Sequence, residues 1–224
     1  MHTPMFDDGT VVLRGSDASE MSAPETEVLI KARELDLCGN LLTALPPALF
    51  VEGDSWKEVA ACRNKLESVP ETVGRVRCSK LQLQHNLITA IPKPPAGLQL
   101  LDLSSNVLRG SHKLDSADEL RTLRLQDNGL TELQLVGAPS LASIDLSRNQ
   151  LAQLPDLSRS ERLGKVLAAH NRLPCLPHQL LELPHLVELD LSFNHLYVLP
   201  TFLDGLRALR RLALQHNRLS RHRL

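Results

Sequence analysis

Hydrophobic positions fall on this chain in a fixed pattern with a long period. The stretch Leu189-Asp-Leu-Ser-Phe-Asn-His-Leu-Tyr-Val-Leu-Pro200 reads L-x-L-x-x-N-x-L-x-x-L-P, and the same skeleton can be laid down nine times. The copies centre on Asn40, Asn64, Asn86, Asn106, Asn128, Asn149, Asn171, Asn194 and Asn217, spaced by 20 to 24 residues, and these nine are all the asparagines in the chain. Five and three residues before each asparagine the side chain is apolar: Leu189 and Leu191 in one copy, Val166 and Ala168 in the copy before it. Alternation of this kind predicts a short strand with one face buried. Beyond the asparagine, most copies continue with Pro and an apolar residue at every third position, as in Pro177, Leu180, Leu183 and Leu186. A period of three suits 3₁₀ turns better than an α-helix. One such unit cannot bury its leucines alone, so the copies must stack as a solenoid.

The asparagine stands where the strand must end and turn. Its amide can both donate to and accept from backbone groups left unpaired there, and stacked copies can form a ladder. All nine asparagines are therefore read as structural. Copies four and five lack the Leu-Pro step, at Ser111 and Gln134, and copy three is shortened by Pro92, Pro94 and Pro95. Irregular segments are expected from about residue 92 to residue 140. Trp56, where a leucine should stand, is expected in the core beside the undersized Ala61. Residues 1–21 carry no period and are read as a mobile tail, although Thr10-Val-Val-Leu13 has a weak strand signal. Ser22-Ala-Pro-Glu25 resembles a capping box and opens a short amphipathic helix at about 22–31, which would cover the first repeat. The repeat domain then runs over 22–224, its ninth copy incomplete.

The L-x-x-L-x-L-x-x-N-x-L-x-x-L-P-x-x-L form over Leu186–Leu203 resembles the cytoplasmic Ras-suppressor-type class of leucine-rich repeats. Residues 32–220 share it, and Ser55-Trp-Lys-Glu-Val59 and Leu214-Gln-His-Asn-Arg-Leu219 resemble stretches of a longer member of that class. The fold implied is an α/β leucine-rich repeat solenoid, a curved horseshoe. Its parallel β-sheet lies on the concave face, and short 3₁₀, helical or irregular segments lie on the convex face. The function implied is a protein-binding scaffold, often one that regulates signalling enzymes.

Composition changes this picture little. A formal charge of −1 points to no global electrostatic partner. No apolar run approaches the ~20 residues of a membrane span, and the first ten residues, with Asp7 and Asp8, do not read as a secretory signal. None of the asparagines lies in an N-x-[ST] sequon, and the four cysteines, Cys38, Cys62, Cys78 and Cys175, are scattered. These features favour a reducing, cytoplasmic compartment with free thiols. Cys38 and Cys62 both stand two before their asparagine, so stacking makes them neighbours. Parallel Cβ vectors at that spacing argue against a disulfide, and His85 alone would not complete a metal sphere. No nucleophile, phosphate-cradle or metal-ligand motif appears, so neither catalysis nor a cofactor is expected.

The outward columns of the sheet remain as the binding surface. At positions six, four, two and one before the asparagine and one after it, copies six to nine carry five bases against three acids. The bases are Arg148, Lys165, Arg172, Arg211 and Arg218, the acids Asp145, Glu188 and Asp190, and His170, His195 and His216 lie among them. Phe193 stands outward in their midst. An exposed aromatic ringed by Arg and His has the composition of an interface anchor. The expected site is therefore Arg148, His170, Arg172, Phe193, His195, His216 and Arg218 on the concave face, and the expected partner is a protein with an acidic patch. The alternative is nucleic acid or another acidic surface on the arginine-rich end, Arg207 to Arg223. An aromatic content of 3% leaves few stacking platforms for it.

Overall fold

The computed structural model describes residues 5–7, 10–12, 33–176, 178–198 and 205–220. The chain forms two compact units, residues 1–107 and 108–224. Each is a stretch of parallel-sheet solenoid, with a strand in every repeat and short 3₁₀ or irregular returns between strands.

The first unit holds β1 (Met5–Asp7), β2 (Thr10–Val12), β3 (Glu34–Asp36), β4 (Ser55–Ala60), β5 (Arg77–Gln82) and β6 (Leu100–Asp102). From β2 to β6 each strand pairs in parallel with the next, and the register follows the repeat, with Leu35 opposite Val59, Val59 opposite Leu81 and Leu81 opposite Leu101. β1 and β2 make an antiparallel pair inside the expected tail. β2 meets the edge of β3 that faces away from β4, so its backbone donors and acceptors are paired. The capping helix expected at 22–31 lies outside the described residues. Trp56 is buried at 4% exposure with Phe50 edge-on at 6.4 Å, while Ala61 is wholly buried, so the indole is core. Returns fold as 3₁₀ turns at Pro47–Leu49 and Glu71–Arg75, each directly after or on a proline.

The second unit holds β7 (Arg109–Asp115), β8 (Thr122–Arg124), β9 (Gly129–Val136), β10 (Ser143–Asp145), β11 (Lys165–Leu167), β12 (Glu188–Asp190) and β13 (Arg211–Ala213). β8, β10, β11, β12 and β13 pair in parallel, in that order. β7 and β9 form a separate two-stranded parallel sheet with a bulge between Gly110 and Ser111. Irregular structure was expected here. Neither β7 nor β9 contains a proline, so both strands keep a complete set of backbone donors, and the two can pair. Elsewhere in the unit the proline-bearing return at His178–Glu182 is a 3₁₀ turn.

The asparagines join the repeats. Asn149 Nδ2 donates to the Leu125 carbonyl of the preceding repeat at 2.9 Å and to Leu146 of its own at 3.0 Å, while its Oδ1 accepts the Leu130 N–H at 3.0 Å. Asn64 does the same with Leu37, Ala61 and Leu42, and Asn194 with Ala168, Leu191 and Leu173. One side chain thus closes a carbonyl three positions before, and an N–H two positions after, the previous asparagine. Asn149→Leu strands the buried Leu130 N–H, and we expect a loss of about 1–3 kcal/mol in urea unfolding. An unchanged midpoint would show that the amide holds nothing.

Candidate interaction surface at the turn end of the strands

The residue immediately before each asparagine turns the chain through the left-handed region. Gly39, Arg63, His85 and Ser105 do so in the first unit, and Asp127, Arg148, His170, Phe193 and His216 in the second, the non-glycine φ values lying between 53° and 58°. This conformation costs an L-residue about 1–2 kcal/mol and is an outlier for a bulky side chain such as Phe. The backbone tolerates it because it is clamped. The Phe193 N–H donates to the Gln215 carbonyl at 2.9 Å, and the His170 N–H to Ser192 at 3.0 Å. The residue after each asparagine is held as firmly, since Arg172, His195 and Arg218 donate N–H to Leu151, Leu173 and Leu196 at 2.9, 3.0 and 2.9 Å. Two side-chain columns therefore run in register along the turn end of the sheet in the second unit.

Six of the seven residues expected at the site lie in repeats seven to nine, in these two columns; Arg148 stands in repeat six. The phenyl ring of Phe193 is sandwiched between the imidazoles of His170 and His216, with centroids 4.1 Å away on each side and interplanar angles of 9° and 16°. Phe193 nonetheless remains 40% exposed. In the second column Arg172, His195 and Arg218 are all exposed. Arg148 is drawn aside, its Nε 3.7 Å from Asp127 in an exposed pair.

The strand face proper is less available than its charges suggest. Lys165 and Arg211 flank Glu188 at 2.9 and 3.3 Å. Asp145 and Asp190 turn their carboxylates onto backbone, accepting the Ser147 and Ser192 N–H at 3.0 and 2.9 Å. Asp102 and Asp36 do the same for Ser104 and Cys38 in the first unit. A side-chain acceptor two residues ahead of a turn is a local cap of the Asx kind. The signal was in the sequence as a repeated D-L-S, Asp102-Leu-Ser104 and Asp190-Leu-Ser192, and those acids are structural.

One expectation fails outright. Cys38 and Cys62, two residues past the ends of β3 and β4, form a disulfide with Cα atoms 4.5 Å apart, and only Cys78 and Cys175 are free. In-register stacking that brings two cysteines to one strand spacing also brings their sulfurs into bonding range, and small side-chain rotations overcome the parallel Cβ vectors. Among the described residues no group of three or more metal-ligating side chains occurs, and no helix is long and apolar enough to cross a membrane.

The comparisons with known proteins agree with the solenoid fold. Residues 185–206 match the Leucine Rich Repeat family. The chain is 31% identical over 212 residues to leucine-rich repeat serine/threonine-protein kinase 1 of Mus musculus, an alignment covering 86% of this chain and 10% of that protein. It is 31% identical over 137 residues to Toll-like receptor 2 type-2 of Gallus gallus, covering 48% and 17%. It thus spans a minor part of either relative. Among solved structures, the functional domain of InlJ from Listeria monocytogenes, which includes a cysteine ladder, superposes with a TM-score of 0.72 at 18% identity, covering 95% of this chain and 45% of that one.

Burial pushes the Cys78 thiol up to about 11, leaving little thiolate at neutral pH. Alkylation of native, non-reduced protein should therefore modify Cys175 quickly, Cys78 only on unfolding, and Cys38 and Cys62 only after reduction. Four thiols reacting without reductant would remove the bridge.

Proposed function

We propose that this chain, whose parallel-sheet solenoid and matched repeat at residues 185–206 are those of leucine-rich repeat proteins, is a non-enzymatic protein-interaction module whose partner docks on repeats six to nine and carries an acidic patch. The observation that supports this most is the His170–Phe193–His216 stack. It sets a bulky aromatic at a left-handed backbone position, part-exposed, between two stacked imidazoles. Two stacked contacts at about 0.5–1.5 kcal/mol each roughly offset the conformational cost, so stability alone gives little reason for a phenylalanine there. Outliers of this kind gather at functional sites. Arg172 and Arg218, which take part in no ion pair among the described residues, add the charge that would select an acidic partner and speed its approach.

The resemblance to the Ras-suppressor-type class extends the proposal to regulation of a signalling enzyme in the cytoplasm. The Cys38–Cys62 bridge weighs the other way, because such bonds persist in oxidising compartments. The thiol state of native protein, read by the alkylation above, discriminates the two. Nucleic-acid binding by the arginine-rich end is the weaker reading: Arg211 is engaged by Glu188, and an aromatic content of 3% leaves few stacking platforms.

Affinity capture on the immobilised chain, read by mass spectrometry, tests the proposal. A protein held in stoichiometric amount by the wild type should be lost with Arg172→Glu. For that protein, Phe193→Ala should cost about 1–2 kcal/mol of binding, with folding checked by circular dichroism. Unaltered affinity in both variants would end this reading.

A further inference from the structure

The chemistry of the partner can be taken one step further, resting on the interaction reading above. Along the strands of repeats seven to nine the charges are already engaged with one another, Lys165 and Arg211 with Glu188. At the turn end they are not. Arg172 and Arg218 are exposed, in the same column two repeats apart, with the exposed His195 between them, and neither takes part in an ion pair among the described residues.

Beside that column, both faces of the Phe193 ring are covered at 4.1 Å by imidazoles. The 40% of Phe193 that remains exposed is therefore mainly ring rim. An aromatic ring is negative on its face and positive at its edge, and an imidazole presents an N–H at its own edge. The stack thus offers no Phe193 face to an inserted aromatic group and no pocket to an aliphatic one. It offers a line of weakly positive edges and N–H donors next to two guanidiniums, a surface that suits oxygen anions.

We propose that the turn end of repeats seven to nine binds an extended acidic segment of the partner protein, running across the strands, with two carboxylates three residues apart held by Arg172 and Arg218 at once. The spacing follows from the register. Two strand steps of ~4.8 Å separate the arginines by about 10 Å. A polyproline II chain rises ~3.1 Å per residue with three residues per turn, so residues i and i+3 lie on one side about 9 Å apart. Each guanidinium can take its carboxylate in a two-pronged hydrogen bond, and His195 and the ring edges face the stretch between. Single-stranded nucleic acid also brings anionic oxygens, but it binds such surfaces by stacking bases on free ring faces. The faces of Phe193 are already taken.

The test uses the full chain and fluorescence anisotropy. The probes are a labelled Gly/Ser peptide of about ten residues carrying Glu-x-x-Glu, the same peptide with Gln-x-x-Gln or a single Glu, and a labelled oligouridine of matching length. The two-carboxylate peptide should bind at least about tenfold tighter than the neutral one, and measurably tighter than the single-Glu peptide. Arg172→Glu or Arg218→Glu should remove that difference, while Arg162→Glu, an exposed arginine elsewhere, should leave it intact. Equal binding of the Glu and Gln peptides, or indifference to both arginine variants, overturns the proposal. So does oligouridine binding tighter than the peptide and lost in those variants, which would assign the surface to nucleic acid. If Arg172→Glu and Phe193→Ala weaken a captured protein while no acidic peptide binds, the interaction module stands and the paired-carboxylate segment falls.

Discussion

Everything in this structure depends on what happens to two backbone groups at the end of each strand. Once the strand stops, a carbonyl and an N–H are left buried with no strand partner, and an unmet buried polar group costs about 1–3 kcal/mol. The asparagine of the next repeat meets both, as Asn171 does for Leu146 and Leu151 at 2.9 and 3.0 Å. Water cannot substitute in a core where Leu146, Leu151 and Ala168 are wholly buried. An amide fits because it carries donor and acceptor on one short stem, which neither Asp nor Ser provides in the same geometry. Repeat spacing can vary from 20 to 24 residues because the returns absorb the difference, while the asparagine and its two backbone partners keep the same relation throughout.

The surface proposed for interaction is a consequence of that constraint. To swing its amide back onto the preceding repeat, each asparagine follows a residue in the left-handed conformation, so a column of strained positions runs beside the ladder. Glycine at position 39 accepts this without cost; phenylalanine at 193 does not. The backbone bonds that hold the strained residue also fix its side chain one strand spacing from its neighbours. Ring stacking at 4.1 Å then follows wherever flat side chains occupy three consecutive repeats. The column one place beyond the asparagine inherits the same register, and arginines two repeats apart become a pair with a defined span.

Much of this was legible in the sequence. The period located the strands, the inward leucines, the core role of Trp56 and the 3₁₀ returns, because each follows from burial and from proline, which act locally. The second sheet was missed: the absence of proline at Ser111 and Gln134 was read as irregularity, although a return that keeps its N–H groups can pair with its neighbour. The carboxylates of Asp145 and Asp190 were counted as surface charge because their hydrogen bonds reach only two residues along the chain, and local caps are invisible to a count. The Cys38–Cys62 bond was rejected on ideal strand geometry, which real strand ends relax. Phe193, His170 and His216 were recognised as neighbours, but their stacking depends on a left-handed turn that no hydrophobic pattern encodes.

The distribution of charge explains why the turn end, rather than the strand face, is the open surface. On a sheet of parallel strands, residues at the same repeat position stand side by side at ~4.8 Å, so a base next to an acid is neutralised across the rung. Position six before the asparagine alternates Lys165, Glu188 and Arg211 over three repeats, and both bases close on the one acid. Such exposed pairs contribute little stability, but they occupy the guanidinium and ammonium groups that a partner would otherwise meet. One position after the asparagine, the same three repeats carry Arg172, His195 and Arg218, with no acid between them. Two bases two rungs apart repel weakly across water at about 10 Å, near the screening length of physiological salt, so a column without an acid costs the fold little. A surface that is nearly neutral in stability can vary its side chains without harm to the fold.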